Sequence, residues 1–410
     1  MAVRWVLAWA WAAPCQSAID LNELGAPSFT TFSTRDGLPD SVIVSIQVDR
    51  QGFVWLGSQH GLARYDGSRW SQIEDPALDG YVDQIYRDHA GTLWAASRTF
   101  GLARHDGEDW HIEGAAAGLT SQHVRRVAET GTGTERARLW AVTWDQGLFY
   151  RARGRWHPDP DNRQLPETPL MALAETQRLG GQMRQWLGTG NQGLWYREGQ
   201  GTWQPFHADR FAGSQIEAIH VSRDGDREAL WFSVFGSGLW RLDESGLRQW
   251  SREQGELPSN ELYNISETAV VGGGHAIWAA SRAGLVRIYH DQARWFDQRH
   301  GLPANAVRNI SQWQSPNGAQ VLWLATEQGV ARMIAGTAQW KTASLMGARQ
   351  TGVFGVLVDH DARGAARLWV ASAGDGLGLF TQGHWQRFSK ASGDLPDSEL
   401  RMIRSAADLD

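Results

Sequence analysis

One position changes character freely through eight near-repeats of this chain: Val44, Asp83, Arg125, Met171, Glu217, Tyr263, Arg308 and Phe354. Each follows an apolar residue that keeps its type: Ile43, Val82, Val124, Leu170, Ile216, Leu262, Val307 and Val353. Two residues before that anchor lies a mostly small or polar position, which includes Gln122, Asn260 and Asn305. The mixed set Asp83, Gln122, Arg125, Glu217, Asn260, Tyr263, Asn305 and Arg308 suits a polar pocket for a small or oligomeric ligand. Arginine forks onto carboxylate or sulfate groups, and tyrosine offers a ring face for a sugar. A second candidate region is the turn before each Gly-Leu pair, with Gln59, His60, Trp144, Asp145, Asn191 and Gln192. Trp144 stands outside both regular tryptophan series and is the candidate aromatic platform. The competing reading is a water-filled channel whose charges pair with one another, with Trp144 packed on a neighbouring loop.

Covalent and metal chemistry find no support in the motifs. The sequence has no Gly-x-Ser-x-Gly, no His-Glu-x-x-His, no phosphate loop and no paired-cysteine zinc site. The 13 histidines are scattered, without i, i+2 or i+4 pairs. A glycosidase needs two carboxyls about 5–9.5 Å apart across a sugar. Asp83 and Glu217 lie in different repeats, so spacing alone leaves their separation open. Turns such as Asp49-Arg50-Gln51-Gly52 look like those of sialidases, but with one extra residue, and such turns are structural. A quinone-cofactor dehydrogenase would need calcium ligands that the chain does not display. The expectation is a protein without catalytic residues, cofactor or metal.

The elements that must position these residues follow from the repeat itself. Trp55, Trp94, Trp140, Trp186, Trp231, Trp278, Trp323 and Trp369 recur 39 to 47 residues apart, and seven of the eight open Trp-x-x-(Ser/Thr). Six or seven residues later comes Gly-Leu, with Gly329-Val330 as the variant. A second series follows: Trp70, Trp110, Trp156, Trp203, Trp250, Trp295, Trp340 and Trp385. Short alternating runs broken by Gly, Asp and Pro read as four strands per repeat. A four-stranded unit of this length is the blade of an all-β propeller. Sixteen of the 23 tryptophans fall in the two series, which assigns most of them to packing. Phe29 to Ser33 looks like an outer strand that closes the ring from the far end.

The phrase Asp36-Gly37-Leu38-Pro39 … Asp49-x-x-Gly52-x-x-Trp55-Leu56-Gly57-Ser58-x-x-Gly61-Leu62 … Tyr65-Asp66-Gly67 resembles the two-component regulator propeller repeat. The resemblance covers roughly Phe29 to Asp410 and is weakest in repeats four, five and eight. It implies the periplasmic sensor portion of a histidine kinase or diguanylate cyclase receptor, whose membrane helix and output domains are not in this sequence. It also brings a homodimer into consideration. Seven blades would use residues 29–341. Residues 342–410 hold an eighth repeat and part of a ninth, either a second propeller or the eighth blade of one ring. The altered lead-in Ser344-Leu345-Met346 favours a boundary there. The alternative function is a stand-alone periplasmic scaffold that binds proteins; a propeller glycosidase or lyase ranks below both.

Composition agrees with that compartment. A net charge of -6 argues against nucleic acid, which needs a basic stripe. Clusters such as Arg125-Arg126 read as solvated strand edges. Arg4 and the apolar run Trp5 to Ala13 are too short to span a bilayer and read as a secretory leader over residues 1–18, which contains the single Cys15. Intact-mass analysis of exported protein is expected to place the first residue near Ser17 or Ala18; retention of Met1 would contradict this.

Overall fold

The computed structural model describes residues 27–131, 137–177, 183–199, 201–224, 227–270, 274–315, 318–338, 353–360, 366–372, 376–381, 384–397, 400 and 403. The leader, Trp340 and the Ser344-Leu345-Met346 lead-in lie outside them. The chain divides into two compact units. The larger comprises Ser28–Ala269 with His275–Ala335. The smaller comprises Met1–Pro27, Val270–Gly274 and Gly336–Asp410.

The larger unit is built from seven four-stranded antiparallel sheets. Sheet one shows the pattern: Ile43–Val48 innermost, then Val54–Ser58, Gly61–Tyr65 and Trp70–Gln72. The inner strands of sheets two to seven are Val82–Arg87, Val124–Thr130, Leu170–Gln177, Ile216–Asp224, Leu262–Ala269 and Val307–Gln314. In sheet seven the outer strand is Pro27–Phe32, which pairs with Gly329–Ala338. The N-terminal strand thus completes the last sheet and covers the outer edge of Gly329–Ala338.

Seven apolar clusters lie between successive sheets, and one of them joins sheet seven to sheet one. The packing is directional. Trp55 of sheet one lies with Val82 and Ile85 of sheet two, and Trp94 lies with Val124 and Val127 of sheet three. Each indole N–H in this series must find an acceptor once buried. Asp49 serves Trp55, Asp88 serves Trp94, Thr130 serves Trp140, Thr176 serves Trp186, Ser222 serves Trp231 and Thr268 serves Trp278, all at 2.8–2.9 Å. At the closing interface Phe32 stacks 5.7 Å from Trp323 and meets Tyr65 and Trp70 at 5.4 and 5.8 Å.

The glycine of Gly-Leu is fixed by two constraints. Gly238 and Gly329 have φ of 104° and 114°, a region costly for side chains. A Cβ there would come within 2.3 Å of Trp250 O and 2.2 Å of Phe32 O, so the outer strand could not approach.

Just after the first anchor, every inner strand breaks register by a bulge. The skipped residues are Val44, Asp83, Arg125, Met171, Glu217 with Ala218, Tyr263 and Arg308. A bulge re-aims its side chain relative to the strand. The freely varying position of the sequence is therefore a bulge position in each sheet.

In the smaller unit, strands Val353–His360, Ala366–Ser372, Gly376–Thr381 and His384–Phe388 form one further four-stranded sheet with the same bulge. Its Val356 is 59% exposed. Among the described residues no helix is long and apolar enough to cross a membrane.

Removing residues 27–32 should open the edge of Gly329–Ala338 and uncover Trp323. The expected result is a lower melting temperature and concentration-dependent association in size-exclusion chromatography. A monomer with unchanged melting would contradict this role for the strand.

Candidate functional site

Bulge residues from non-adjacent sheets meet inside the larger unit. Asp83 of sheet two, fully buried at its carboxylate, accepts from Arg98 Nε at 3.1 Å and Nη2 at 2.5 Å. It also accepts from Arg125 Nη1 of sheet three at 2.5 Å. The other arm of Arg125 donates to Glu217 of sheet five, past the whole of sheet four. Gln215 Nε2 donates to the second oxygen of Glu217 at 2.8 Å. Arg126 follows the same course: its Nη2 reaches the carbonyls of Glu217 at 3.2 Å and of Tyr263, in sheet six, at 3.3 Å. The guanidiniums of Arg125 and Arg126 thus cross the space enclosed by the inner strands.

Local sequence explains why Arg126 can cross. The equivalent residue in four other sheets ties one inner strand to the next. Ser45 Oγ accepts from Ile85 N, Gln84 Oε1 from Val127 N, Asn264 Oδ1 from Ile310 N and Asn309 Oδ1 from Ile46 N, at 2.7–3.3 Å. In sheets three to five this position is Arg126, Ala172 and Ala218. The two alanines supply no such tie, and Arg126 bridges the gap they leave.

Above this layer lie the turn residues that follow the Ser/Thr of each Trp-x-x-(Ser/Thr). Arg98 sits 4.2 Å from the Tyr81 ring and 5.1 Å from Trp144. Arg125 lies 5.4 Å from the same Trp144 ring. Across the mouth, Arg308 is 4.4 Å from the Tyr263 ring and bonded to Glu327. Arg282 pairs with Glu261 at 3.0 Å. Phe235 is 41% exposed in the same turn of sheet five. Of the turn candidates, Trp144 meets the bulge layer, through Arg125 and Arg98.

Electrostatics distinguish the two arginines of the plug. Burial works against the charge of Arg125, but Glu217 and Asp83 outweigh it and hold its pKa above the ordinary value. Arg126 is pushed down to about 10, by burial first and then by the Arg125 charge beside it. The Arg98 pKa is raised by its hydrogen bond to Asp83. Burial raises the phenol of Tyr263.

Several expectations need correction. Arg125 and Arg126 are not solvated edges; their side chains are only 12% and 13% exposed. Asp83 and Glu217 are committed to arginine, and Arg125 fills the space between them where a glycosidase would hold its sugar. Trp144 is half-buried, with two guanidiniums against its ring, rather than an open platform. Asn260 and Asn305 brace their own lead-in loops, accepting from Arg252 N at 2.8 Å and Gln298 N at 2.9 Å. Gln122 is exposed beside the mouth. His60 pairs with Asp40, and Asp145 accepts from Ser121. The sequence reading missed Tyr81, Arg98, Phe235, Glu261, Arg282 and Glu327. Four of these, Arg98, Phe235, Arg282 and Glu327, share one signal: each stands directly after the last residue of its Trp-x-x-(Ser/Thr) strand, or of Trp-Phe-Ser-Val in sheet five.

A separate cleft of about 450 Å³ lies by the hairpins of sheets five and six, with Arg223, Glu228, Arg241, Asp243 and His275 among its walls. Four of its charged residues form two pairs, Arg223 with Glu228 and Arg241 with Asp243. Among the described residues no cluster of His, Cys, Asp and Glu is placed to hold a metal ion.

Residues 37–60 match the model of the two-component regulator propeller family. The chain is similar to the extracellular domain of a hybrid two-component system of B. thetaiotaomicron, at 16% identity and a TM-score of 0.61. That match covers 93% of this chain and 51% of the other. A second extracellular domain from the same organism, described as that of a one-component system, gives 18% identity, a TM-score of 0.53 and coverage of 93% and 50%. Virginiamycin B lyase from Staphylococcus aureus gives 14%, 0.53, and coverage of 75% and 99%. The chain spans about half the length of the two extracellular domains. These likenesses establish a propeller fold. No curated protein matches the chain.

Removing one partner of a buried ion pair strands the other, at about 3–5 kcal/mol. Exposed pairs contribute about 0–1 kcal/mol. Urea unfolding should therefore show a large loss for Asp83→Ala and a small one for Arg308→Ala, whose side chain is 36% exposed. Equal losses would contradict the division into buried plug and open mouth.

Proposed function

We propose that the chain is the ligand-sensing propeller of a periplasmic signalling receptor, and that it receives its ligand at the mouth above the Arg125–Arg126 plug. On this reading the seven sheets of the larger unit are one propeller, and the eighth repeat opens a second. The observation that carries the proposal is a division of labour among equivalent positions. Residues that recur in every repeat hold the blades together. Those that vary converge from five sheets on one face, with partly exposed Arg98, Tyr263, Arg308 and Phe235 among them.

The match at residues 37–60 and the fold shared with extracellular receptor domains support the sensing role. The plug supports a binding role over a catalytic one, because it places paired charges where a reaction would need free carboxyls. Arginine and aromatic faces together favour an acidic or neutral oligosaccharide, or a small molecule of similar chemistry. Output would come from domains beyond this sequence.

A thermal-shift screen of the full chain against acidic and neutral oligosaccharides tests the proposal. Hits are expected to disappear in Arg98→Gln and in the double variant Tyr263→Ala/Arg308→Gln, and to persist in Arg241→Gln at the separate cleft. Hits that survive both mouth variants would sink the reading.

A further inference from the structure

We infer that the channel seats an oxyanion group, a carboxylate or a sulfate, between Arg98, Arg125, Arg126 and Trp144. The inference stands apart from the sensing role, since a free ion or a ligand-borne acid group would fit equally.

The first observation is charge. Arg98, Arg125 and Arg126 face two carboxylates, Asp83 and Glu217, and the ionic contacts of the cluster close among these five. One positive charge is left without a counter-charge. Arg125 and Arg126 are nearly nine-tenths buried and face the two buried carboxylates, while Arg98 is 43% exposed, so the excess lies on the mouth side of the cluster. Burial first, and then the neighbouring Arg125 charge, depress the pKa of Arg126.

The second observation is hydrogen bonding. Arg125 Nε, Arg126 Nε and Trp144 Nε1 are all buried and donate to no acceptor in the structure. The three belong to one cluster: Arg125 lies against the Trp144 ring, and both arginines contact the same oxygen of Glu217. Guanidinium and indole nitrogens are donors only. Four other sheets place an acceptor, Ser45, Gln84, Asn264 or Asn309, at the position that Arg126 occupies. This side of the channel is thus rich in donors and short of acceptors.

Water would fill the hydrogen bonds but leave the charge. A planar or tetrahedral oxyanion supplies both, and it matches the guanidinium fork better than a spherical halide. Ala172 and Ala218 flank the crossing with small side chains.

The test is thermal unfolding and calorimetry of the full chain in low-salt buffer, titrated with sodium sulfate or sodium glucuronate against sodium chloride at equal ionic strength. A saturable rise in Tm beyond chloride is expected, because an ion bound only by the folded state stabilises it. If sulfate suffices, the seat takes a free oxyanion; if only glucuronate acts, it takes the acid group of a larger ligand. Trp144→Phe keeps the ring and deletes one donor, and should weaken binding about tenfold. Arg98→Gln removes the excess charge and should weaken it at least as much. No saturable rise with either salt overturns the inference. So does unchanged affinity in both variants.

Discussion

Each of the seven sheets of the larger unit is apolar on both faces, and such a sheet can be buried only between two others. That constraint organises the rest. Each ladder tryptophan lies beneath the inner anchors of the following sheet, as Trp55 does beneath Val82 and Ile85. A linear stack would leave two faces wet. Joining sheet seven to sheet one leaves none, and the strand Pro27–Phe32 completes the joint. The cost of truncating one such buried Trp, about 3–5 kcal/mol, is a large part of a domain's net stability.

Closure has a second consequence. It turns the inner-strand bulges of all seven sheets toward one space, so residues far apart in sequence become neighbours. Arg125 and Glu217 are 92 residues apart and share a hydrogen bond. Charges brought together this way cannot all remain solvated. The fold answers with the Asp83–Arg125–Glu217 chain, and with Arg126 bridging to two backbone carbonyls. What remains accessible is the turn layer above, with Arg98 and Phe235, together with the bulge residues Tyr263 and Arg308.

The sequence displays the architecture because repetition averages out local ambiguity. Eight tryptophans, eight Gly-Leu-like pairs and a stray outer-strand phrase at Phe29 state a ring of four-stranded units before any coordinate is known. The site is only half legible. That positions 83, 125 and 217 face one channel follows from their repeat phase. That they neutralise one another does not, because pairing depends on which sheets stand opposite across the ring. Arg126 was misread for the same reason: one residue from Arg125 in a regular strand, it should point the other way, but the bulge lets both cross the channel. Arg98 and Glu327 were visible in principle, as the first turn residue of each repeat, but their significance needs the turn layer to lie over the bulge layer.

A crystal structure of the full chain with a bound ligand from the screen tests the central claim most directly, that the variable residues form one receiving mouth. The account predicts ligand density over the plug, in contact with Arg98, Trp144 and either Tyr263 or Arg308. Density confined to the cleft beside Arg223 and Asp243, with the mouth unchanged, would contradict it.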